Sequence, residues 1–599
     1  MRLTKLIFRR AGCGLMALLL TLVAGCMAAD LDTPCSRDLE CASGLCEDGL
    51  CTQRCAQNTD CAGAGGKSIC TWLQPPPDDG QPPGRCHYRL PVLALNYGSP
   101  SETDAWTSTH DQGLQQAAER LQFVRLAQEV YAGDGAASLS WTRKNNQKDK
   151  APGGLRAEVD QWVNEQRREH AGKSLVVLTN SVNQSEDLEQ IANDYATDAN
   201  PNHKDVIFIN VAGFRINEYN LGTAFAHMER AWYAAGWVAA QKALAESHGE
   251  RARIGFVAPI PTAEVIRHIS AFTLGAQALV ARDNLASHDK TRAVDVIVRW
   301  LGAWSGRDIS PEDCPRWAGD SDYQPRTSEA CLAAGLLELG CKVLAHHLDN
   351  QRVIESVAAW SQSGAPLAYT IGNDHRFACR RGLRQDGEPY AGCLGSVYWN
   401  WAPLYEEIFT QIHRHEWTPG LAILEDNGSQ EATVGFAVNP QASEDETHEL
   451  TKRVEAAFAA ISPNEQYQSD RVFSGFCWKE PDPAAPGSST QVCPLLDADC
   501  LTDKGSRAWL ELCKFPEGVM EPCVQGGSGC IGQGERMGLR AAQIPAAAIQ
   551  SGQAASGTFL LQPSVESERA FCLTQKAKMP ERCVRQSHLR RPLPSPLSL

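Results

Sequence analysis

The side chains with the most chemistry in this chain gather just beyond short apolar runs. Trp106, His110 and Asp111 follow the first such run, Asn180 the second, and Trp304 the fifth. His346, His347 and Asp349 follow the sixth, Asn373 and Asp374 the seventh, and Trp399-Asn400-Trp401 closes the eighth. Indole and imidazole planes with a few carboxylates and amides suit a flat, polar heterocycle that carries hydroxyls. The rings stack on its faces, and the acids accept hydrogen bonds from its N–H and O–H groups. Each residue also has a plainer role open to it. Trp399 and Trp401 are two apart on a strand, so they share one face, which could be packed interior. Asp111 could simply cap a following helix. Adjacent residues on a strand point to opposite faces, which disfavours a metal held by both His346 and His347. No GxSxG elbow, Walker loop or HExxH is present, and no nucleophile is patterned beside Asp349 with His347 or His346. The reading is a binder, not an enzyme, with no cofactor and no metal.

Those positions need a scaffold, and its clearest piece is Arg253–Ala276. Ile254, Phe256 and Val257 form a short run closed by Pro259 and Pro261, which predicts a buried strand and a loop. Val265, Ile266, Ile269, Phe272 and Leu274 then recur at near-helical spacing, with Glu264, Arg267 and His268 on the opposite face. Further strands are predicted at 91–97, 174–178, 205–211, 294–298, 342–345, 365–371, 396–399 and 433–438. Helices are predicted at 112–131, 155–168, 224–246, 353–362 and 404–415. Strand and helix in alternation predict parallel α/β sheets, and nine strands fit two Rossmann-like lobes better than one sheet. Ligands in such folds sit beyond the carboxyl ends of the strands.

The two ends of the chain are different. Of 599 residues, 23 are cysteines, and none falls between His87 and Asp313. That distribution predicts disulfide-stapled segments around a central domain, in an oxidising compartment. A basic start (Arg2, Lys5, Arg9, Arg10), a short apolar stretch and Leu22-Val23-Ala24-Gly25-Cys26 predict a lipoprotein signal peptide over 1–26, with Cys26 lipidated. Residues 27–88 form a stalk of eight cysteines in which Cys35-x5-Cys41-x4-Cys46 is echoed by Cys55-x5-Cys61-x8-Cys70. The binding domain is assigned to 89–480, with Pro481–Ser489 as a linker. A second cysteine-rich segment fills 481–599. The five cysteines from Cys314 to Cys393 and eight from Cys477 onward make an odd number; Cys341, ahead of a buried strand, is the expected free thiol. A net charge of −15 argues against a nucleic-acid partner.

Five phrases, in order, resemble the basic membrane protein (BMP) family of ABC-transporter substrate-binding lipoproteins. They are Ala105–Gly113 (AWTSTHDQG), Ala224–Gly236 (AFAHMERAWYAAG), Ala258–Ala276 (APIPTAEVIRHISAFTLGA), Leu344–Asn350 (LAHHLDN) and Leu394–Tyr405 (LGSVYWNWAPLY). The resemblance implies a type I periplasmic binding protein, two hinged α/β lobes holding a purine nucleoside or similar ring. It implies that Trp106 and His110 line the first-lobe face, with Asp349, Trp399 and Asn400 near the ligand and Asp374 accepting from a hydroxyl. Asn180, Phe225 and Trp304 complete the expected ligand-binding set. The chain departs from the family where His227 stands for an arginine, where Arg230 takes the place of the helix glutamate, and where His375-Arg376-Phe377 follows Asp374. The expected function is a lipid-anchored extracytoplasmic receptor, on the periplasmic side or the cell surface, that delivers a nucleoside-like ligand to an ABC permease. The alternative is a ligand sensor or surface interaction lipoprotein on the same fold, which the stalk and the cysteine-rich tail favour.

Overall fold

The computed structural model describes most of residues 90–120, 139–147 and 153–461, with short pieces of the cysteine-rich ends. Residues 1–34 and 521–599, and with them Cys26, lie outside the described residues. One compact unit comprises Leu93–Gln115, Thr142–Tyr405 and Thr418–Leu599; another comprises Met1–Val92, Gln116–Trp141 and Glu406–Trp417. Among the described residues, no helix is long and apolar enough to cross a membrane.

The α/β body opens with β1 (Leu90–Leu95), α1 (Ala105–Arg120), β2 (Leu139–Lys144), α2 (Gly154–Arg167), β3 (Leu175–Thr179), α3 (Ser185–Thr197), β4 (Val206–Val211) and β5 (Leu221–Ala226). It continues with α4 (Met228–Glu246), β6 (Arg251–Ala258), α5 (Ala263–Ser287), β7 (Ala293–Trp300), α6 (Ser328–Glu338), β8 (Val343–His346), α7 (Arg352–Gln362) and β9 (Tyr369–Gly372). The last elements are β10 (Cys393–Trp399), α8 (Ala402–His413), β11 (Leu421–Leu424), β12 (Val434–Val438) and α9 (Glu444–Ile461).

Two sheets result. The first has the order β11-β5-β4-β3-β1-β2, and the second β12-β10-β9-β8-β6-β7. In each, the five strands that come first along the chain lie in the doubly wound order 2-1-3-4-5, whose ligand edge is where the order reverses, between the first and third strands. The chain crosses back to the first sheet for β11, which runs parallel to β5, then returns to the second for β12, antiparallel to β10. Strands β1, β3, β5, β8 and β9 are buried at every position, and runs such as β1 and β3 accordingly read as continuous apolar stretches.

Several elements differ from the sequence reading. Helix α1 starts at Ala105, seven residues before the expected start at Gln112, because Asp104 caps it: its Oδ1 accepts from the Thr107 N–H at 2.8 Å. Trp106, His110 and Asp111 therefore ride on the first two turns. Asp111 is no cap, and instead accepts from Arg143 Nη1 at 2.5 Å. The helix expected to begin at Ala224 begins at Met228, and Leu221–Ala226 is strand. The polar side of α5 does not face water: Arg267 and His268 are 1% and 0% exposed. Helix α4 packs so closely on α5 that a Cβ at Gly236 would sit 2.0 Å from the Phe272 carbonyl oxygen, and one at Gly275 2.0 Å from that of Tyr233.

The ends are stapled where they are described. Disulfides join Cys35 to Cys46 and Cys41 to Cys51, and within the body Cys314 to Cys331 and Cys379 to Cys393. Cys341 is free and buried, and burial pushes its thiol up to about 12. Trp478–Pro481 and Ser489–Val492 pair as an antiparallel hairpin around the expected linker, and Val519–Met520 adds to the free edge of β7.

Candidate functional site

The site begins at the order reversal of the first sheet. Trp106 and His110 are four residues apart on α1 and share a face; their rings meet edge to face, with centroids 4.5 Å apart. The Trp106 indole N–H donates to the carbonyl oxygen of Asn180 at 2.7 Å, just beyond β3. Asn180 Oδ1 in turn accepts from the Tyr97 N–H at 2.8 Å, just beyond β1. Loops from the first and third strands are thus tied together through one asparagine.

From there a stack of rings leads to β10. His110 lies on Trp401, centroids 4.3 Å apart and planes 16° from parallel, and Trp401 lies on Trp399 at 4.4 Å and 10°. The two tryptophans do share one face, as their spacing predicts. His110 Nδ1 and the Tyr405 hydroxyl of α8 are 2.5 Å apart. Burial holds the His110 imidazole well below its usual range, so it is neutral. The Trp399 indole N–H donates to Asp374 Oδ1 at 3.2 Å. Asp374 sits at φ 63° in the turn after β9, a left-handed conformation that Asp tolerates better than most residues. Burial, reinforced by the nearby Glu264 carboxylate, raises the Asp374 carboxyl well above its ordinary value, against the pull of the Trp399 hydrogen bond.

The order reversal of the second sheet, between β6 and β8, supplies the rest. His347, one residue past β8, hydrogen-bonds His268 of α5, Nε2 to Nδ1 at 2.7 Å. The His268 ring lies 6.3 Å from Trp399, and the His347 ring 6.2 Å from Trp304. Asp349 is held by its backbone: its N–H donates to the Trp304 carbonyl at 3.1 Å, and its carbonyl accepts from the Ala105 N–H at 2.7 Å. Glu264 heads α5, and burial lifts its carboxyl to about 7 against the nearby Arg267 guanidinium. Beneath lies an ion pair of Arg267 with Glu229, 3.6 Å apart and both essentially unexposed. Burial alone would raise the Glu229 carboxyl, but His227 at 2.7 Å and Arg267 outweigh it and hold it below the usual range.

Of the expected site residues, Trp106, His110, Asn180, Trp304, Asp349, Asp374 and Trp399 form one connected set. Asn400 borders it, its N–H donating to the Thr433 carbonyl at 2.7 Å. Phe225 does not join it through any described contact; it is buried on β5, in register with Ile423. The sequence reading misses Glu229, Glu264 and His268 as members. The Glu264/His268 spacing of four, which places both on one face of a helix, is the available signal, and the helical period alone assigns that face to solvent. What the set offers chemically is aromatic faces, hydrogen-bond acceptors and neutral imidazoles. His110 is engaged by a tyrosine, not by a serine or cysteine that it could activate.

No family model matches the chain. A Haloferax volcanii protein, named as a candidate ABC transporter glucose-binding protein (TsgA13), is 24% identical over 219 residues, which cover 36% of this chain and 42% of that protein. The match thus spans less than half of the relative's length. Among solved structures, an ABC transporter solute-binding protein from Conexibacter woesei aligns at 15% identity and a TM-score of 0.37, over 63% of this chain and 100% of that one. One from Aeropyrum pernix aligns at 14% and 0.42, over 71% of this chain and 99% of that one. The α/β assignment rests on the strand orders above, and the chain is distantly similar in sequence to a solute-binding component of an ABC transporter.

Proposed function

We propose that this chain is an extracytoplasmic solute receptor that closes its two sheets on a small, flat, hydroxylated ligand of the nucleoside class and delivers it to an ABC permease. The observation that supports this most is the continuity of the cluster. One run of ring contacts and hydrogen bonds links the order reversal of the first sheet (Trp106, Asn180) to that of the second (His347), through Trp399 and Asp374. Both sheets therefore present their ligand edges to the same group of residues. Indoles at Trp106 and Trp399 supply stacking faces, and the acids supply acceptors for ribose hydroxyls. Binding would stabilise the arrangement in which both edges are engaged, which is the switch a permease reads.

A hexose is the second reading, favoured by the name of the Haloferax volcanii relative; indole faces also receive the apolar faces of sugars. The lipid anchor at Cys26 belongs to the same proposal, as does the set of nine ligand residues. Uptake in a deletion strain tests delivery. Loss of uptake of the ligand that binds in vitro, restored by the wild-type chain and not by Trp399→Ala, supports transport. Unchanged uptake despite tight binding in vitro would make the protein a sensor instead.

A further inference from the structure

Glu264, His268 and His347 each bring one potential donor atom within 4.8 Å of the other two. We propose that these three residues form a binding site for one divalent cation of the zinc class, at the order reversal of the second sheet. Two imidazoles and a carboxylate are the ligand set of catalytic zinc sites that keep an open position. First-row ions other than zinc accept the same donors. The spacing suits chelation, since Glu264 and His268 are one helical turn apart on α5 and His347 arrives from the adjacent strand β8. Adjacent histidines on a strand diverge, and accordingly only His347 of the 346–347 pair takes part.

The dimensions decide between a site and an accident of packing. Two nitrogens on one tetrahedral zinc at about 2.1 Å stand roughly 3.4 Å apart. His268 Nδ1 and His347 Nε2 are 2.7 Å apart, so an ion parts them by well under an ångström and replaces one shared proton. The two rings meet nearly head-on, with centroids 4.9 Å apart, so binding an ion also pivots them toward it. Glu264 and Asp374 bring two carboxyls to the neighbourhood, and the Arg267 guanidinium beneath them is paired with Glu229. Glu264 is only partly buried whereas both histidines are buried, so the carboxylate marks the side from which an ion enters. The other sulfur-rich group, Cys35, Cys41 and Cys46, has its sulfurs committed to disulfides and offers no thiolate.

The test uses the full oxidised chain, stripped with chelator and dialysed. Zinc is titrated by calorimetry and cobalt(II) by visible absorption. The expected result is one equivalent bound, with an intense cobalt d–d band of four- or five-coordinate geometry. His347→Gln and His268→Gln are each expected to weaken binding by at least about tenfold and to abolish the band. His346→Gln, next in sequence but outside the group, should leave both unchanged. Urea unfolding of every variant separates a lost ligand from a lost fold, and Glu264→Gln provides a near-isosteric third variant. Absence of one-equivalent binding, or binding that persists undiminished in both His347→Gln and His268→Gln, would overturn the site. Because the readouts need no organic ligand, failure here leaves the solute-receptor reading standing, and failure of that reading leaves this site standing.

Discussion

Trp399 and Asp374 hold each other twice: the indole N–H donates to the aspartate Oδ1 at 3.2 Å, and the Trp399 backbone N–H donates to the Asp374 carbonyl at 3.1 Å. The backbone bond ties the turn after β9 to the end of β10, so the carboxylate and the indole plane are positioned as one piece. Asp374→Asn keeps the tolerance for φ 63° and removes a buried acid that burial and Glu264 both disfavour as an anion. The expected outcome is unfolding stability within about 1 kcal/mol of wild type or above it, with ligand affinity reduced at least about tenfold. Urea unfolding and calorimetric binding of the same preparation check both halves.

Gly236 and Gly275 set the distance between α4 and α5, and so the position of Glu264 and His268. Gly236→Ala drives a methyl to within 2.0 Å of the Phe272 carbonyl oxygen, a backbone atom that a side-chain rotation cannot relieve. Although alanine favours helices over glycine by about 1 kcal/mol, overpacking dominates here, and a net loss of about 1–3 kcal/mol is expected. A substitution at Gly340, at φ 81° with open space around it, should instead cost only the backbone strain, about 1–2 kcal/mol. A Gly236→Ala protein as stable as wild type or more so, by urea unfolding, would contradict the packing account.

Stability should fall as pH drops below about 6.5. Burial holds His346 to about 3 and His347 and His375 to about 4, with His110 and His268 also well below their usual value. Below pH 6.5 the unfolded chain takes up protons that these folded imidazoles refuse, so each adds a penalty that is absent above 6.5 and grows toward its folded value. Asp374 and Glu264 act in the opposite sense, since a raised folded pKa gives the folded state the extra proton. Asp111 and Asp187 are raised as well, while the lowered Glu229 adds to the loss; between pH 7 and 5 the five histidines dominate, and the net slope is loss on acidification. His110→Gln should flatten that slope by up to one proton, approaching about 1.4 kcal/mol per pH unit toward pH 5, as read from urea unfolding at pH 7, 6 and 5.

The sheets are legible in the sequence because their strands are buried on both faces. Runs such as Leu175–Thr179 and Val206–Val211 carry little but apolar side chains, so length and flanking turns locate them. Strand β5, LGTAFA, escapes because Gly222 and Thr223 interrupt its apolar residues and a strong helical pattern follows it directly. The site is half legible. Trp106, Asp374 and Trp399 stand out as large or charged groups at strand ends, where ligands bind. Glu264, Arg267 and His268 read as a solvent face because a 3.6-residue period separates polar from apolar without saying what the polar side meets. Here it meets Glu229 and His347, whose own positions come from α4 and β8. That information is tertiary, and one helix's periodicity does not contain it.

The most direct test of the receptor account is a thermal-shift titration of the oxidised protein with nucleosides, nucleobases and hexoses, repeated on Trp399→Ala. The account predicts that one compound class raises the unfolding temperature saturably, by the equivalent of about 2.7 kcal/mol at a hundredfold excess over Kd, and that Trp399→Ala, still folded, loses the shift. A shift that survives Trp399→Ala unchanged, or no shift with any compound, would contradict it.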